Sequence, residues 1–195
     1  RTSFEEHLVE AALYVADQKK QCSLHFTVSP EHMDKFKSLL KEVRSLYEKE
    51  YQVAFQVSFS VQKASTDTIA VDLDNRPFRD ENGMLLFRPG GHGALIENVD
   101  DLKGDIVFIK NIDNVVRDRL KTETILWKKV LGGCLVTLQK QICEYMERLS
   151  SGNIGERFLD SVMTFMQEEL SIECPDSVLS NTPEEKKNFC VHNLN

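Results

Sequence analysis

The stretch RPGGHGALIENVDDLKGDIVFIKNIDN, Arg88 to Asn114, decides how the chain is read. It opens on a glycine-dense loop, Arg88-Pro89-Gly90-Gly91-His92-Gly93. An apolar-periodic piece follows from Ala94 to Leu102, long enough for two turns of helix. Then comes a buried-type strand, Ile106-Val107-Phe108-Ile109, ending in polar residues, Asn111-Ile112-Asp113-Asn114. Loop, helix, strand and polar strand end predict half of a doubly wound α/β unit, in which ligands sit outside the carboxyl ends of the strands. Glycines without Cβ atoms let the backbone approach a flat or anionic ligand and present its N–H groups. His92 is placed to donate to a phosphate. Asp113, directly after the expected strand, suits a hard divalent cation, which takes carboxylate and phosphate oxygens.

Pro89-Gly90-Gly91-His92-Gly93 followed by Asn111-Ile112-Asp113-Asn114 resembles the uridylyltransferases that make UDP-sugars, the UDP-glucose and UDP-sugar pyrophosphorylases. Those enzymes carry a Pro-Gly-His-Gly-Asp loop and, after the next strand, an Asn-x-Asp-Asn element. The chain also looks like the middle of a longer bacterial family related to them. The resemblance implies a nucleotide-diphospho-sugar transferase fold, a Rossmann-like, mostly parallel mixed sheet flanked by helices. It further implies that Gly90, Gly91, His92, Gly93 and Asn111 meet base and phosphates. His92 and Asp113 become the catalytic candidates, with Asp113 helping to hold Mg²⁺. The partners implied are a nucleoside triphosphate, UTP above others, and a sugar phosphate. Ala94 departs from the pattern, standing where those enzymes have Asp.

Upstream, the residues from Val53 to Val61 alternate cleanly, with Val53, Phe55, Val57, Phe59 and Val61 against Ala54, Gln56, Ser58 and Ser60. Such alternation predicts a strand. At its end lie Gln62 and Lys63; by the same resemblance Gln62 contacts the base and Lys63 a phosphate or sugar. Leu24 to Ser29 reads as another strand, with His25 near the carboxyl end. A helix begins at Ser29-Pro30 and runs to about Glu48, bringing His32 near the same end, with Ser as N-cap and Pro in the first turn. Residues 3–19 read as a helix opened by a Ser3-x-x-Glu6 capping box. Helix, strand, helix, strand favours a parallel sheet. Asp67 to Leu73 reads as a strand and Asn82-Gly83 as a hairpin turn.

Beyond Asn114 the pattern turns helical. Lys121 to Leu149 carries helical periodicity crossed by Gly132-Gly133, where a kink, a break or close helix packing is expected because each mid-helix glycine costs about 1 kcal/mol. Gly152 to Gly155 reads as a linker, about Gly155 to Leu170 as a helix, and Thr182-Pro183-Glu184-Glu185 as the start of another. Trp127 reads as core. The domains expected are an α/β core over 1–120 and a helical extension over 121–195.

Composition narrows the class. A net charge of −7 without a basic block argues against nucleic acid or an anionic membrane as partner. No run of 18 apolar residues is present, so no membrane span is expected. Five cysteines, Cys22, Cys134, Cys143, Cys174 and Cys190, are odd in number and scattered, which suits reduced thiols in a cytoplasmic protein. Cys190-x-His192 is too isolated for zinc. The first glycine is Gly83, so a glycine-rich triphosphate loop of the pyrophosphorylase type does not lie ahead of it. With Arg1 at one end and Asn195 at the other, the chain reads as an excised piece. Three functions are open at this stage: sugar-1-phosphate uridylyltransferase, a metal-dependent glycosyltransferase using a UDP-sugar, and a non-catalytic module that binds a nucleotide, a sugar or a partner on the same fold.

Overall fold

The computed structural model describes residues 1–152, 154–179 and 182–195. The chain is α/β and divides into two compact units, Arg1–Lys129 and Val130–Asn195, with the boundary inside one long helix.

The first unit is built on a single βαβ crossover. Helix α1 (Ser3–Tyr14) is followed by β1 (Gln21–Thr27), α2 (Met33–Tyr51, preceded by a 3₁₀ turn at Pro30–His32) and β2 (Ala54–Ser60). β1 and β2 pair in parallel, with Leu24 opposite Val57, His25 opposite Ser58 and Phe26 opposite Phe59. The core lies on one face of that pair, where Phe4, Leu8 and Val9 of α1 and Val43 and Tyr47 of α2 pack on Cys22 and Phe55. Aromatic rings extend it: Phe4 lies 4.7 Å from Phe26 and 5.4 Å from Phe36.

The helix starts follow local chemistry. The capping box of α1 is Thr2 with Glu5, one residue earlier than the sequence suggests. The helix also stops at Tyr14, short of residue 19, because the Asp17 carboxylate accepts the backbone N–H groups of Lys19 and Gln21 at 2.8 Å each and closes a turn. α2 ends on Gln52 in the left-handed region, φ 54°.

After β2 the chain forms a ribbon of short antiparallel pieces. β3 (Thr68–Ile69) pairs with β4 (Phe87–Arg88), and the strand expected over 67–73 is otherwise reduced to an isolated bridge between Val71 and Pro77. Ala70 N donates to Leu86 O, Leu86 N to Phe78 O and Phe78 N to Ala70 O, a closed ring of backbone bonds. The hairpin at Asn82-Gly83 forms as expected. Gly83 has φ 77°, and the Asp80 carboxylate accepts from the N–H groups of Asn82 and Met84. A 3₁₀ turn (His92–Leu95) leads into α3 (Ile96–Asp100).

Helix α4 (Asp118–Ser150) continues through Gly132-Gly133, so the chain is not broken there. Nucleation is unfavourable only once, and the thirty-three-residue helix propagates across two glycines at about 1 kcal/mol each. Trp127 is 65% exposed rather than in the core.

In the second unit, α5 (Glu156–Leu170) and α7 (Pro183–Leu194) pack with the end of α4 around Leu149, Leu159, Val162, Met166 and Cys190. A four-residue helix, α6 (Asp176–Leu179), precedes α7, whose start carries a capping box of Thr182 and Glu185. Arg148 stacks over Phe158, 3.7 Å from the ring centre. All five cysteines are free, and burial pushes the Cys190 thiol up to about 11. No helix among the described residues is long and apolar enough to cross a membrane.

Truncation at the centre of each core has a defined cost. Phe55, fully buried, loses about 3–5 kcal/mol on replacement by Ala, and Leu159→Ala about 2–5 kcal/mol. Urea denaturation of each variant measures both.

Candidate functional site

The alternation that buries one face of β1 and β2 makes the other face polar. Cys22, Leu24 and Phe26 point with Phe55, Val57 and Phe59 into the core. Strand geometry sends Ser23, His25 and Thr27, and their neighbours Gln56, Ser58 and Ser60, the opposite way. A parallel sheet covered on both faces reads as continuous apolar residues; this pair does not. Ser23, His25, Thr27, Gln56 and Ser58 of that polar face line a cleft of about 1320 Å³, which Leu24, Phe26, Phe55 and Val57 of the same strands also reach. The far wall is formed by the His92-Gly93 turn, by Ile96 and Val99 of α3, and by the segment 104–112.

Two properties set the cleft's chemistry. Four of the chain's five histidines, His7, His25, His32 and His92, line it. Although the chain holds 31 Asp and Glu residues, none is among the described residues that line the cleft. A cavity without carboxylates in an acidic protein is the place where an anionic ligand meets least repulsion.

Side chains on this face of the strands are linked, through Ser60 and Asn98, which do not themselves line the cleft. His25 Nδ1 lies 2.7 Å from Ser58 Oγ, and its Nε2 lies 2.8 Å from Ser60 Oγ. Asn98 of α3 is 4% exposed and donates from Nδ2 to Ser60 Oγ and to Val61 O, at 2.9 Å each. Burial lowers the His25 pKa from its ordinary 6.5, favouring the neutral ring. At the α1 edge, fully buried Glu10 accepts from Lys110 Nζ at 2.5 Å and from Tyr14 OH at 3.3 Å. Burial, with Glu10 adding to it, pushes the Tyr14 phenol up. Tyr14 in turn meets Phe108 edge-on at 5.5 Å, and His7 Nε2 sits 3.1 Å from Ile112 O. Three of these, from Lys110, Phe108 and Ile112, hold the wall 104–112 against α1.

The wall corrects the reading of the organising stretch. Residues 106–109 form no strand. Ile106 and Phe108 are half-buried while Val107 and Ile109 are 38% and 70% exposed, so the segment packs one side only and follows the edge of α1. Asp113 therefore does not cap a strand. It lies exposed in a turn in which Asn114 N donates to Asn111 O and Val115 N to Asp113 O.

Of the sequence candidates, His92, Gly93 and Asn111 come together in the cleft. Gly91 is the residue before the 3₁₀ turn, with open space where its Cβ would be. Gly90 has a packing reason for being glycine: an added Cβ would lie 2.8 Å from Ala94 Cβ and 3.0 Å from Thr66 O. Gln62 donates to Asp67 at 3.1 Å, and Lys63 is drawn to α3, 2.7 Å from Asp101 and 3.5 Å from Glu97. The Asp101 hydrogen bond raises the Lys63 pKa. Neither Gln62 nor Lys63 lines the cleft. Among the described residues no three His, Cys, Asp or Glu side chains cluster to hold a metal. Asp113 offers one carboxylate, which fits Mg²⁺ only as an ion carried in on phosphate oxygens, where one or two protein carboxylates suffice. His25, Ser58, Ser60 and Asn98 were not singled out as a group by sequence reasoning; the polar halves of the two alternating strands were the signal.

Compared with known proteins, the whole chain, residues 1–195, matches the model of DUF4301, a domain of unknown function, and the chain belongs to that family. No curated protein and no solved structure matches it.

Two outcomes test the site's construction. Gly90→Ala destabilises by about 1–3 kcal/mol through overpacking, whereas Gly91→Ala and Gly93→Ala change stability by about 0.5 kcal/mol or less; thermal unfolding separates them. For His25 the folded pKa is below the unfolded value of 6.5. The unfolded chain thus binds more protons in the window beneath 6.5, so His25's contribution is complete above that pH and declines as pH falls through the folded pKa. The melting temperature from pH 8 to 5 falls more steeply in the natural chain than in His25→Gln.

Proposed function

We propose that this DUF4301 chain carries the central part of a sugar-1-phosphate uridylyltransferase, with the cleft of the first unit as its nucleotide site. The supporting observation is that the two motifs carrying the resemblance, the Gly-His-Gly loop and the Asn-x-Asp-Asn element, each send residues into one carboxylate-free cleft. In this reading β1–α2–β2 is one βαβ unit of a Rossmann-like sheet. The cleft reaches Thr27, Val28 and Ser29 at the carboxyl end of β1, where ligands of such sheets bind.

The chemistry needs no protein nucleophile. An oxygen of the sugar 1-phosphate attacks the α-phosphorus of UTP, forming the new P–O bond as the bond to pyrophosphate breaks. The protein's part is to position two anions and limit their repulsion. His92 donates to phosphate, Asn111 binds base or phosphate, and Gly93 allows close backbone approach. Asp113, which follows the cleft-lining Ile112 but does not itself line the cleft, would be the protein carboxylate for a Mg²⁺ carried in on the nucleotide, and that ion would supply neutralisation of phosphate charge. Gln62 and Lys63 enter this reading only if Asp67 and the acids of α3 release them.

The pairing of Lys63 with Asp101 and Glu97 favours a second reading, in which the cleft binds nucleotide or sugar without turnover. A glycosyltransferase consuming a UDP-sugar is the third.

Calorimetric titration of the protein with UTP, with and without Mg²⁺, tests the site. Binding is expected, and saturation at 100 times the dissociation constant adds about 2.7 kcal/mol of stability. His92→Ala weakens UTP about tenfold to a hundredfold, the loss of one hydrogen bond to a charged group. No heat and no thermal shift with any nucleoside triphosphate would overturn the assignment. In this reading the chain by itself, without a glycine-rich triphosphate loop, binds but does not turn over, so release of pyrophosphate on adding sugar 1-phosphate to the intact parent protein distinguishes turnover from binding alone.

A further inference from the structure

The N–H and C=O of a strand residue point to one edge of the strand, and successive residues alternate between its two edges. Bonds at the ends of β1 and β2 fix which residues face which way. Val28 N donates to Ser60 O at 2.9 Å and Ala54 N to Lys20 O at 2.8 Å, so the even-numbered positions of both strands face each other. The odd-numbered ones face outward. On β2 side chains guard that outer edge at both ends. The Phe55 N–H goes to Glu48, its carbonyl accepts from Arg44, and the Val61 carbonyl accepts from Asn98, leaving only Val57 and Phe59 between. Charged groups laid on an edge oppose further pairing. The β1 edge is tied only at its start, where Gln21 exchanges bonds with Asp17. Beyond it the outward groups of Ser23, His25 and Thr27 pair with no other main chain among the described residues.

A second unpaired edge runs alongside. Phe108 meets Tyr14, Lys110 meets Glu10 and Ile112 meets His7, so this segment travels along α1 from its end toward its start. β1 passes α1 in the same sense, with Cys22 Sγ at Ala11 O and the Phe26 ring at Phe4. The segment is therefore parallel to β1. It is also extended: its residues 108 to 112 match a stretch of helix about 10 Å long, where a full strand would cover about 13 Å. Ile106, Phe108 and Lys110 are half-buried while Val107 and Ile109 are exposed, which is strand alternation. Among the described residues the main chain from Ile106 to Lys110 pairs with no other.

The cleft lies between these two edges. Each residue from Ser23 to Ser29 lines it, odd and even alike, and so does each residue from Ile106 to Ile112. A cleft that touches both faces of a strand follows the strand's edge. The two edges do not close on each other, because α1 meets β1 through Phe4, Leu8 and Ala11 but meets the segment through His7, Glu10 and Tyr14. Those two sets are centred roughly 90° apart around the helix. A strand residue occupies roughly 160 Å³, from its rise, the strand spacing and the layer spacing. The volume of about 1320 Å³ thus has room for about eight of them.

We propose that the slot between β1 and Ile106–Ile112 takes one further strand, parallel to both and supplied by the same protein's polypeptide outside residues 1–195. It continues the ladder that β1 and β2 begin, bonding Ser23, His25 and Thr27 on one side and the 106–110 main chain on the other. Its residues toward Ala11, Tyr14 and Val15 of α1 are apolar, and those beside Ser23 and His25 are small or polar. Two strands are few for a sheet, which has about 5–6 on average, and a strand paired along both edges is a permanent part of a core rather than a passing ligand. The carboxyl end of the slot, at Thr27 to Ser29, His32, His92 and Asn111, stays open to the nucleotide. That the strand comes from the same polypeptide rests on the reading of this chain as the central part of a larger enzyme; that the slot takes a strand does not.

Hydrogen exchange resolved by residue tests this on the 195-residue chain and on the intact parent protein, both without nucleotide. In the chain alone the Ser23, His25 and Thr27 amides are expected to exchange about a hundredfold or more faster than those of Leu24 and Phe26. In the intact protein all five are slow. Slow exchange at the three odd positions in the dilute chain, or fast exchange there in the intact protein, would sink the proposal. So would protection in the chain that grows with its concentration, which seats a second copy in the slot. Ser23→Pro gives an independent reading, since it removes only an outward N–H, tolerated on an open edge and not on a paired one. It is expected to lower the melting temperature of the intact protein by about 5 °C or more beyond its effect on the chain, or to prevent the intact protein from folding while the chain still folds. Equal effects in both would count against the strand. UTP enters neither measurement: a protected edge in an intact protein that does not bind UTP keeps the strand and removes the nucleotide reading, and UTP binding beside an unprotected edge does the reverse.

Discussion

Parallel pairing of β1 with β2 is the constraint on which the first unit rests. It forces a crossover, and α2 is that crossover. The register is specified by burial, since a slip of one residue would carry Phe55, Val57 and Phe59 to the outer face and bring Gln56 and Ser58 into the core. The core and the cleft floor are thus two sides of one decision. Whatever keeps Phe55 buried also keeps His25 beside Ser58.

The far wall has no ladder to hold it, and side-chain interactions take over that task. Near α1, Lys110 reaches buried Glu10, Phe108 meets Tyr14, and His7 meets the Ile112 carbonyl. Near the carboxyl end of β2, Asn98 and Glu97 of α3 and Asp101 just after it hold Ser60, Val61 and Lys63. Removing one partner of a buried charge pair leaves the other uncompensated, so the Glu10 attachment is intolerant of single changes. The α3 contacts to Lys63 are largely solvated and contribute little by themselves; Asn98 carries most of the anchorage there.

Much of this was legible in the chain, and the errors have physical causes. β1, α2, β2, the Asn82-Gly83 turn and the three long C-terminal helices follow from periodicity and capping. Residues 106–109 are apolar enough for a buried strand, but β propensity reflects available neighbours more than the backbone, and here α1 supplies contact on one side only. Gly132-Gly133 looked like a break because propensity is local, whereas a long helix distributes the cost. Trp127 looked like core because its size favours burial, yet it sits on an outer face of α4. At the site, the glycine loop and Asn111 could be found from residue order. The His25 network could not, because its members are 33 to 38 positions apart and only strand register and α3 bring them together.

The exposure of Trp127 also determines how the molecule can be watched. It is the single tryptophan, two-thirds open to water on α4, and it is in neither hydrophobic core. Its emission already reports a wet indole in the folded chain, so melting either core changes that signal little. Intrinsic fluorescence is therefore nearly blind to unfolding, and a tryptophan placed at buried Tyr47 would supply the optical reporter that the natural sequence lacks.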